Sequence, residues 1–163
     1  MLSSKLAQKL YDKTSDIYNT RYRSVQFEKY SRALQNIDLS GKILDLGSGT
    51  GLLSKFLGKN LISLDISKKM LIKSNSKNVQ GDMVKLPFKN NSFNTVLSFS
   101  ALMNSSNPQK TINEVHRILK PKGLFVVTYL KDFNFTKDLQ LKFKIKESID
   151  CGEDICFKLY SNK

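Results

Sequence analysis

One stretch of nine residues decides the fold of this chain: Ile43-Leu44-Asp45-Leu46-Gly47-Ser48-Gly49-Thr50-Gly51. It begins as an apolar run of the kind that forms a strand, ends that run in a carboxylate, and then places glycine at every second position. The helix-forming segment 52–57 follows at once. The stretch therefore predicts a strand that turns sharply into a helix, with so few side chains that a ligand can lie against the backbone. Open α/β sheets bind their ligands beyond the carboxyl ends of the strands, at turns like this one.

Strand-like and helix-like patterns alternate on both sides of this turn. Such alternation is typical of a parallel sheet with helices on both faces, so we predict an α/β fold with a doubly wound, mostly parallel sheet. The 163 residues suit a single domain. The predicted strands are 42–46, 60–65, 78–81, 93–99 and 124–130, and the predicted helices are 3–14, 24–37, 51–59, 67–75 and 108–119.

The pattern changes after Leu130. Apolar residues recur at every second position from Leu141 to Ile145 and again from Ile155 to Leu159, with a glycine between the two runs. This pattern predicts an antiparallel hairpin over 139–160, with one buried face and one solvated face. Lysines on the solvated face would also discourage edge-to-edge pairing with other chains.

A carboxylate ends each of three successive predicted strands, at Asp45, Asp65 and Asp82. Asp65 can accept hydrogen bonds from both ribose hydroxyls of an adenosyl ligand. Asp82 can accept from the exocyclic amine of an adenine, with Met83 beside the ring. Each acid alone could instead cap a helix or form a turn. The chain has 27 lysine and arginine residues but only 14 aspartate and glutamate residues, so acids at three successive strand ends favour a ligand site.

The glycine turn departs from the dinucleotide fingerprint. That pattern needs glycine or alanine at the position that Leu52 occupies here. A nicotinamide-dependent oxidoreductase is therefore an alternative that Leu52 argues against. A degenerate fold that serves only as a binding subunit is a second alternative, and the intact acids and glycines argue against it.

The net charge of +13 suggests an anionic partner, with RNA as the first candidate. Two facts weaken this inference. Lysine outnumbers arginine 23 to 4, although base reading and bidentate phosphate binding favour arginine. The chain is also rich in asparagine, so a general compositional bias could supply the charge without any partner.

Other features favour a cytoplasmic protein without a metal site. The segment Met1 to Leu10 lacks the apolar core of a signal peptide, and no apolar run has the length of a membrane span. Cys151 and Cys156 are too few for a disulfide framework or a zinc site, and we interpret them as reduced thiols. The single histidine, His116, is interpreted as a surface or packing residue rather than a catalytic base.

Five pieces of the sequence resemble one known family. The chain is similar to the class I S-adenosylmethionine-dependent methyltransferases, specifically to the small type 11 group that includes quinone-biosynthesis methyltransferases. The likeness covers residues 41–130, with the pieces in the family's order. The matching pieces are Leu44–Gly51, Leu64–Ser67 with Met70-Leu71, Gly81–Met83 with Leu86–Phe88, Ser92–Val96 and Glu114–Gly123.

The resemblance implies a seven-stranded sheet of order 3-2-1-4-5-7-6 with the last strand antiparallel, and S-adenosyl-L-methionine as the cofactor. It implies one methyltransferase domain over 1–163, with an N-terminal helical lid (1–38), a cofactor-binding core (41–130) and the hairpin (139–160). The methionine end would lie on Asp45 and the turn, the ribose on Asp65, and the adenine on Asp82 and Met83. The residues implied to bind the cofactor are Tyr18, Asp45, Gly47, Ser48, Gly49, Gly51, Asp65, Ile66, Asp82, Met83, Ser98 and Ser100.

The sequence names no catalytic residue and no acceptor. A methyl group on a sulfonium is already electrophilic, so alignment of a nucleophile and exclusion of water can suffice. The segment 131–140 is too short for a substrate-binding subdomain. A short lid fits an open face for a large substrate such as RNA or protein, or a partner subunit that completes the site. The charge slightly favours RNA, and a small acceptor of the quinone or lipid type is the alternative.

Overall fold

The computed structural model describes residues 3–14 and 17–163. Seven strands form one sheet of order β3-β2-β1-β4-β5-β7-β6, which confirms the predicted order. The strands are β1 (Ile43–Leu46), β2 (Ile62–Asp65), β3 (Lys77–Gln80), β4 (Phe93–Phe99), β5 (Leu119–Leu130), β6 (Phe143–Cys151) and β7 (Asp154–Ser161). The helices are α1 (Ser4–Thr14), α2 (Tyr18–Ala33), α3 (Leu52–Leu57), α4 (Lys68–Leu71), α5 (Pro108–Ile118) and α6 (Thr136–Gln140), with a 3₁₀ turn over Leu102–Asn104.

Strand direction sets where the functional edge lies. β1 pairs in parallel with β2 and β4, β2 with β3, and β4 with β5. β7 runs antiparallel to both β5 and β6, as predicted for the last strand. The carboxyl ends of β1 to β4 therefore open onto one edge of the sheet, and residues that follow these ends lie near one another.

The core has two parts, one on each face of the sheet. Leu44 and Leu46 of β1 belong to a cluster that includes Ile112 and Val115 of α5. The neighbouring Ile43 belongs to a second cluster with residues of α2 and α3. Alternate residues of a strand point to opposite faces, and all four residues of β1 are buried. The central strand is thus covered by helices on both sides.

Several element boundaries differ from the prediction. The second helix is predicted over 24–37, but α2 begins at Tyr18 and ends at Ala33. Its first turns are polar and carry no apolar periodicity, so the sequence pattern does not reveal them. The helix stops before 37 because Asn36 takes a left-handed φ of 56°. The helix predicted over 67–75 ends at Leu71, although Ser67 caps it as expected by accepting from the N–H of Met70. β5 begins at Leu119 rather than at 124, since Leu119 pairs with Phe93 before an irregularity in the ladder.

The hairpin is shorter than predicted at its start. Residues 139 and 140 belong to α6, and β6 begins only at Phe143. Cys151 and Cys156 lie on its two strands as buried free thiols. Within the described residues, no helix combines the length and the apolar character that a membrane crossing requires.

Candidate functional site

The glycine turn between β1 and α3 is held against the neighbouring strand. The N–H groups of Gly47 and Ser48 both donate to the carbonyl oxygen of Leu64, at 2.8 and 3.1 Å. Gly47, Gly49 and Gly51 have φ values of 75°, 52° and 76°, in the left-handed region that glycine alone enters at little cost. The sequence folds into this turn here because glycine occupies each of these positions.

The three glycines serve different purposes. A Cβ atom on Gly47 would overlap the Cβ of Ala101, and one on Gly51 would overlap the side chain of Ser74. At these two positions glycine allows close packing within the protein. A Cβ on Gly49 would meet no atom within 4 Å, although Gly49 lines a cavity. Gly49 is therefore the position where the missing side chain leaves room for a ligand.

Asp65 connects the glycine turn to the start of α4. Its Oδ2 accepts from the N–H of Gly49 and its Oδ1 from the N–H of Ser67, both at 2.8 Å. Burial raises the pKa of Asp65, whereas these backbone hydrogen bonds lower it. The carboxylate is thus fixed in one orientation at the end of β2, where it lines the cavity.

Asp45 lies behind the turn at the end of β1. Its side chain is buried, and its Oδ2 has no hydrogen-bond partner among the described residues. The hydroxyls of Ser48 and Ser98 are buried and unpartnered in the same way. Buried polar atoms are usually paired, so three such orphans near one edge indicate a place prepared for a polar group.

The ionisation of Asp45 gives a pH prediction. Burial, with a smaller contribution from the charge of Asp65, raises the pKa of Asp45 from its usual value of 3.8 to about 8. Between these values the folded chain holds a proton that the unfolded chain has released, so the free energy of unfolding falls as the pH rises through this window. The variant Asp45→Asn has no such proton, and we expect its stability relative to the natural chain to increase from about pH 5 to about pH 8. Urea unfolding of both proteins across this range measures the difference; parallel profiles would show that Asp45 does not titrate there.

The cavity lies at the ends of β1, β2, β3 and β4. Eight of the residues implied to bind a cofactor line it: Tyr18, Gly47, Gly49, Asp65, Ile66, Asp82, Met83 and Ser100. The other four do not line it: Asp45, Ser48, Gly51 and Ser98. Of these, Asp45 and Ser98 are buried within the sheet, and Gly51 faces Ser74.

Sequence reasoning missed part of the wall that α1 provides. Ser4 and Ala7 lie across the cavity and carried no signal in the sequence, whereas Tyr11 beside them belongs with Tyr18 to the N-terminal aromatic pair that the family resemblance implies would fold over the pocket. The hydroxyl of Ser67 bonds to Asp12 and that of Ser4 to Ser106, which holds α1 in place. His116 lies outside this cavity, bonded to Asn162 and packed against the ring of Phe143.

The position of α1 leaves little space beneath it. The cavity encloses about 70 Å³, much less than the ~300–1,000 Å³ of sites for organic ligands. Burial raises the pKa of Tyr11 to about 12 and that of Tyr18 further, so both phenols are neutral at physiological pH. The cavity as it stands is therefore smaller than a nucleoside-sized ligand needs, and two uncharged aromatic rings, one from α1 and one from α2, form part of its wall.

A family model described as a methyltransferase domain matches residues 44–127 of the chain. The match covers just over half of the sequence, and it contains the turn, Asp65, Asp82 and the end of β4. The chain belongs to this methyltransferase family. The match confirms the resemblance to the type 11 methyltransferases.

The curated relatives that resemble this chain carry different names. An uncharacterized protein of Methanocaldococcus jannaschii is 38% identical over 76% of this chain and 48% of its own length. The 18S rRNA (guanine-N(7))-methyltransferase bud23 of Schizosaccharomyces pombe is 34% identical, over 62% of this chain and 42% of its own. The demethylmenaquinone methyltransferase of Staphylococcus epidermidis is 31% identical, over 71% of this chain and 54% of its own length. The chain spans about half the length of the curated relatives it matches.

A solved structure shares the fold. It is a complex between the Trm112 methyltransferase activator of Haloferax volcanii and a methyltransferase. The TM-score is 0.73 at 15% identity, and the alignment covers 94% of this chain and 98% of the other. The arrangement of strands and helices is therefore one that methyltransferase structures adopt.

Proposed function

We propose that this protein binds S-adenosyl-L-methionine in the cavity beyond β1 and β2 and transfers its methyl group to an acceptor. The observation that carries the proposal is the fixed carboxylate of Asp65 beside Gly49, whose missing side chain leaves open space. A carboxylate held by two backbone N–H groups is preorganised to accept from a diol without losing side-chain entropy on binding. Membership in the methyltransferase family supports the assignment.

The described residues fit this cofactor. Asp65 would accept from the ribose hydroxyls, and Asp82, whose Oδ1 accepts from the N–H of Val84 at 3.1 Å, would lie by the adenine with Met83. The turn, together with Asp45 and Ser48, would hold the methionine end of the cofactor. Asp45 Oδ2 and Ser48 Oγ have no hydrogen-bond partner among the described residues, so a polar group of the cofactor could pair with them. The remaining assigned residues are Tyr18, Ile66, Ser98 and Ser100.

The protein's part in the reaction is alignment and exclusion of water. When bound, the cofactor supplies a methyl group on a positively charged sulfur. Holding an acceptor in line with that group can contribute ~7–11 kcal/mol without an acid or a base. Tyr11 and Tyr18 on the N-terminal helices would cover the site, and their neutral rings would keep it poor in water.

Different observations support different acceptors. The charge of +13 and the rRNA methyltransferase among the relatives support RNA. The demethylmenaquinone methyltransferase supports a small, largely apolar acceptor. The activator-bound neighbour supports a partner subunit that completes the site. A cytoplasmic location fits all three, and it stays a prediction.

Two measurements test the proposal. Calorimetric titration with S-adenosyl-L-methionine should show saturable binding to one site. Transfer from the methyl-radiolabelled cofactor into cell extract, then separated into RNA, protein and lipid, should label one fraction above the others. Binding without any transfer would assign the chain to a non-catalytic subunit, and absence of binding would reject the cofactor altogether.

If RNA is labelled, the affinity for RNA should fall steeply between low and physiological salt.

A further inference from the structure

A second and larger cavity lies beside the first, under α2. It encloses about 500 Å³, within the range of organic ligand sites. Four of the described residues line both cavities: Tyr11, Tyr18, Ser100 and Asn104. A ligand in the larger cavity would thus be adjacent to a cofactor in the smaller one.

The rim of the larger cavity is apolar. Nine large hydrophobic side chains are exposed among the described residues, and four of them line this one cavity. Met103 and Leu130 also line it. Exposed apolar residues gathered at one cleft indicate a binding surface rather than a chance distribution. The four are Leu10, Ile17, Tyr22 and Val25.

A buried ion pair forms the polar part of the lining. Nζ of Lys29 lies 2.9 Å from Oδ2 of Asp154, with exposed side-chain fractions of 6% and 1%. The same Oδ2 accepts from the hydroxyls of Ser100, at 2.7 Å, and Thr128, at 2.8 Å. Lys29 also donates to the hydroxyl of Ser100 at 2.5 Å. We call Lys29, Ser100, Thr128 and Asp154 the polar cluster.

The polar cluster reaches the boundary between the two cavities through Ser100. This residue has a left-handed φ of 52°, which is costly for a side chain. Its N–H donates to both the carbonyl oxygen and the hydroxyl of Thr128. The surrounding hydrogen bonds thus hold the backbone in a strained conformation that places the cluster next to both cavities.

A second polar side chain in the lining has an unused acceptor. Gln26 is 6% exposed, and its Oε1 has no hydrogen-bond partner among the described residues. The side chain of Gln26 also hydrogen-bonds with Tyr18, and burial of an unpaired Oε1 is costly unless a donor reaches it. A ligand with a hydroxyl group would supply that donor.

Among the described residues of the lining the charges cancel, although the chain carries +13. Arg21 and Lys29 contribute two positive charges, and Glu153 and Asp154 contribute two negative charges. A phosphate group would meet as many carboxylates as cations here and would gain no net attraction. The lining therefore favours an uncharged ligand with hydrogen-bonding groups at one end.

We propose that this cavity is the acceptor site and takes a small, uncharged amphiphile: a hydroxyl group anchored at the polar cluster and Gln26, and an apolar body against the rim. The inference rests on the proposed function, which supplies the neighbouring cofactor. It selects a small molecule over RNA as the acceptor. It concerns the group that anchors the acceptor, and leaves open which of its atoms is methylated.

The chain contains no tryptophan, so a single one can report on the cavity. In the variant Tyr22→Trp, emission is measured during titration with 4-butylphenol and with butylbenzene, which lacks the hydroxyl. We expect the phenol to bind saturably and about tenfold more tightly than butylbenzene. The difference comes from one buried hydrogen bond between the hydroxyl of the phenol and the charged groups of the polar cluster. Equal affinities, or no saturation with either probe, would overturn the proposal. Binding of uridine monophosphate in place of the phenol would assign the cavity to RNA.

A pair of double variants identifies the group that recognises the hydroxyl. Lys29→Met with Asp154→Leu removes both buried charges together, so neither is left unpaired. On the Tyr22→Trp background it should bind butylbenzene unchanged and lose the preference for the phenol. The matched control is Lys131→Met with Asp150→Leu, which removes an exposed ion pair outside the cavity, with 2.8 Å between Nζ and Oδ2. This control should keep the preference for the phenol over butylbenzene. If the first double variant does not fold, the comparison of the two probes on the intact cluster decides alone.

Calorimetry with S-adenosyl-L-methionine on the same proteins separates the two proposals. Cofactor binding without a preference for the phenol would reject this inference and leave the proposed function standing. A preference for the phenol without cofactor binding would reject the proposed function and with it the role as acceptor site. A dimer in sedimentation, with tryptophan emission already shifted to the blue before any probe is added, would assign the rim to a second copy of the chain and overturn the proposal.

Discussion

Replacing Gly49 with valine is expected to abolish binding of S-adenosyl-L-methionine, with a loss of affinity of about 100-fold or more. A side chain at this position would occupy the space that a ligand lying against the turn must use, since no protein atom lies within 4 Å of the added Cβ. For the same reason the variant meets no overlap within the protein and should fold. Calorimetric titration measures the affinity, and circular dichroism checks the fold.

Gly58→Val is the matched control. Gly58 has a φ of 60°, close to the 52° of Gly49, and a Cβ there would likewise meet no atom within 4 Å. Both variants carry the cost of roughly 1–2 kcal/mol for a side chain in the left-handed region. Gly58 ends α3 and does not line the cavity, so its variant should bind the cofactor normally. Normal binding by Gly49→Val, or equal loss by both variants, would contradict the placement of the cofactor on the turn.

Replacing Asp65 with alanine is expected to weaken cofactor binding by roughly 1.5–3 kcal/mol, the range for hydrogen bonds to a charged group. The same change removes the acceptor of the N–H groups of Gly49 and Ser67, so the free energy of unfolding should also fall, by roughly 1–3 kcal/mol for each N–H left buried and unpaired. Titration calorimetry and urea unfolding measure the two effects on the same protein.

Asp150→Ala is the control for the loss of a carboxylate. Asp150 pairs with Lys131 and accepts from the N–H of Gly152, both on the exposed hairpin. Its replacement by alanine should leave the cofactor affinity unchanged and lower the stability only slightly, because water can replace these exposed partners. An Asp65→Ala variant that loses stability but binds the cofactor as tightly as the natural chain would show that Asp65 only organises the turn. Its assignment to the ribose would then be wrong.

The sequence predicted the part of the site that local patterns encode. An apolar run, a carboxylate and three glycines in nine residues predicted β1, the turn and the start of α3. The same type of pattern placed Asp65 and Asp82 at the ends of the next two strands, and both line the cavity. Strand patterns and carboxylates at strand ends are properties of neighbouring residues, so they can be found without knowing what packs against them.

Other features depend on contacts between residues that are far apart in the chain. Lys29 and Asp154 each look like ordinary surface charges in the sequence, and only the packing of α2 on β7 makes them a buried pair. The raised pKa of Asp45 follows from complete burial and from Asp65 on the next strand. The closure of the cavity by Ser4 and Ala7 follows from where α1 lies.

The order of the sheet followed from the resemblance to a known family, whereas the sequence by itself determined the alternation of strands and helices and the glycine turn after β1. Hydrophobic periodicity and glycine conformation act over a few residues, which is why these could be predicted. Only the tertiary structure decided which polar groups lose their water and which cavities lie side by side. Burial, charge pairing and enclosed volume depend on every element that packs around a point, and no local stretch of sequence contains that information.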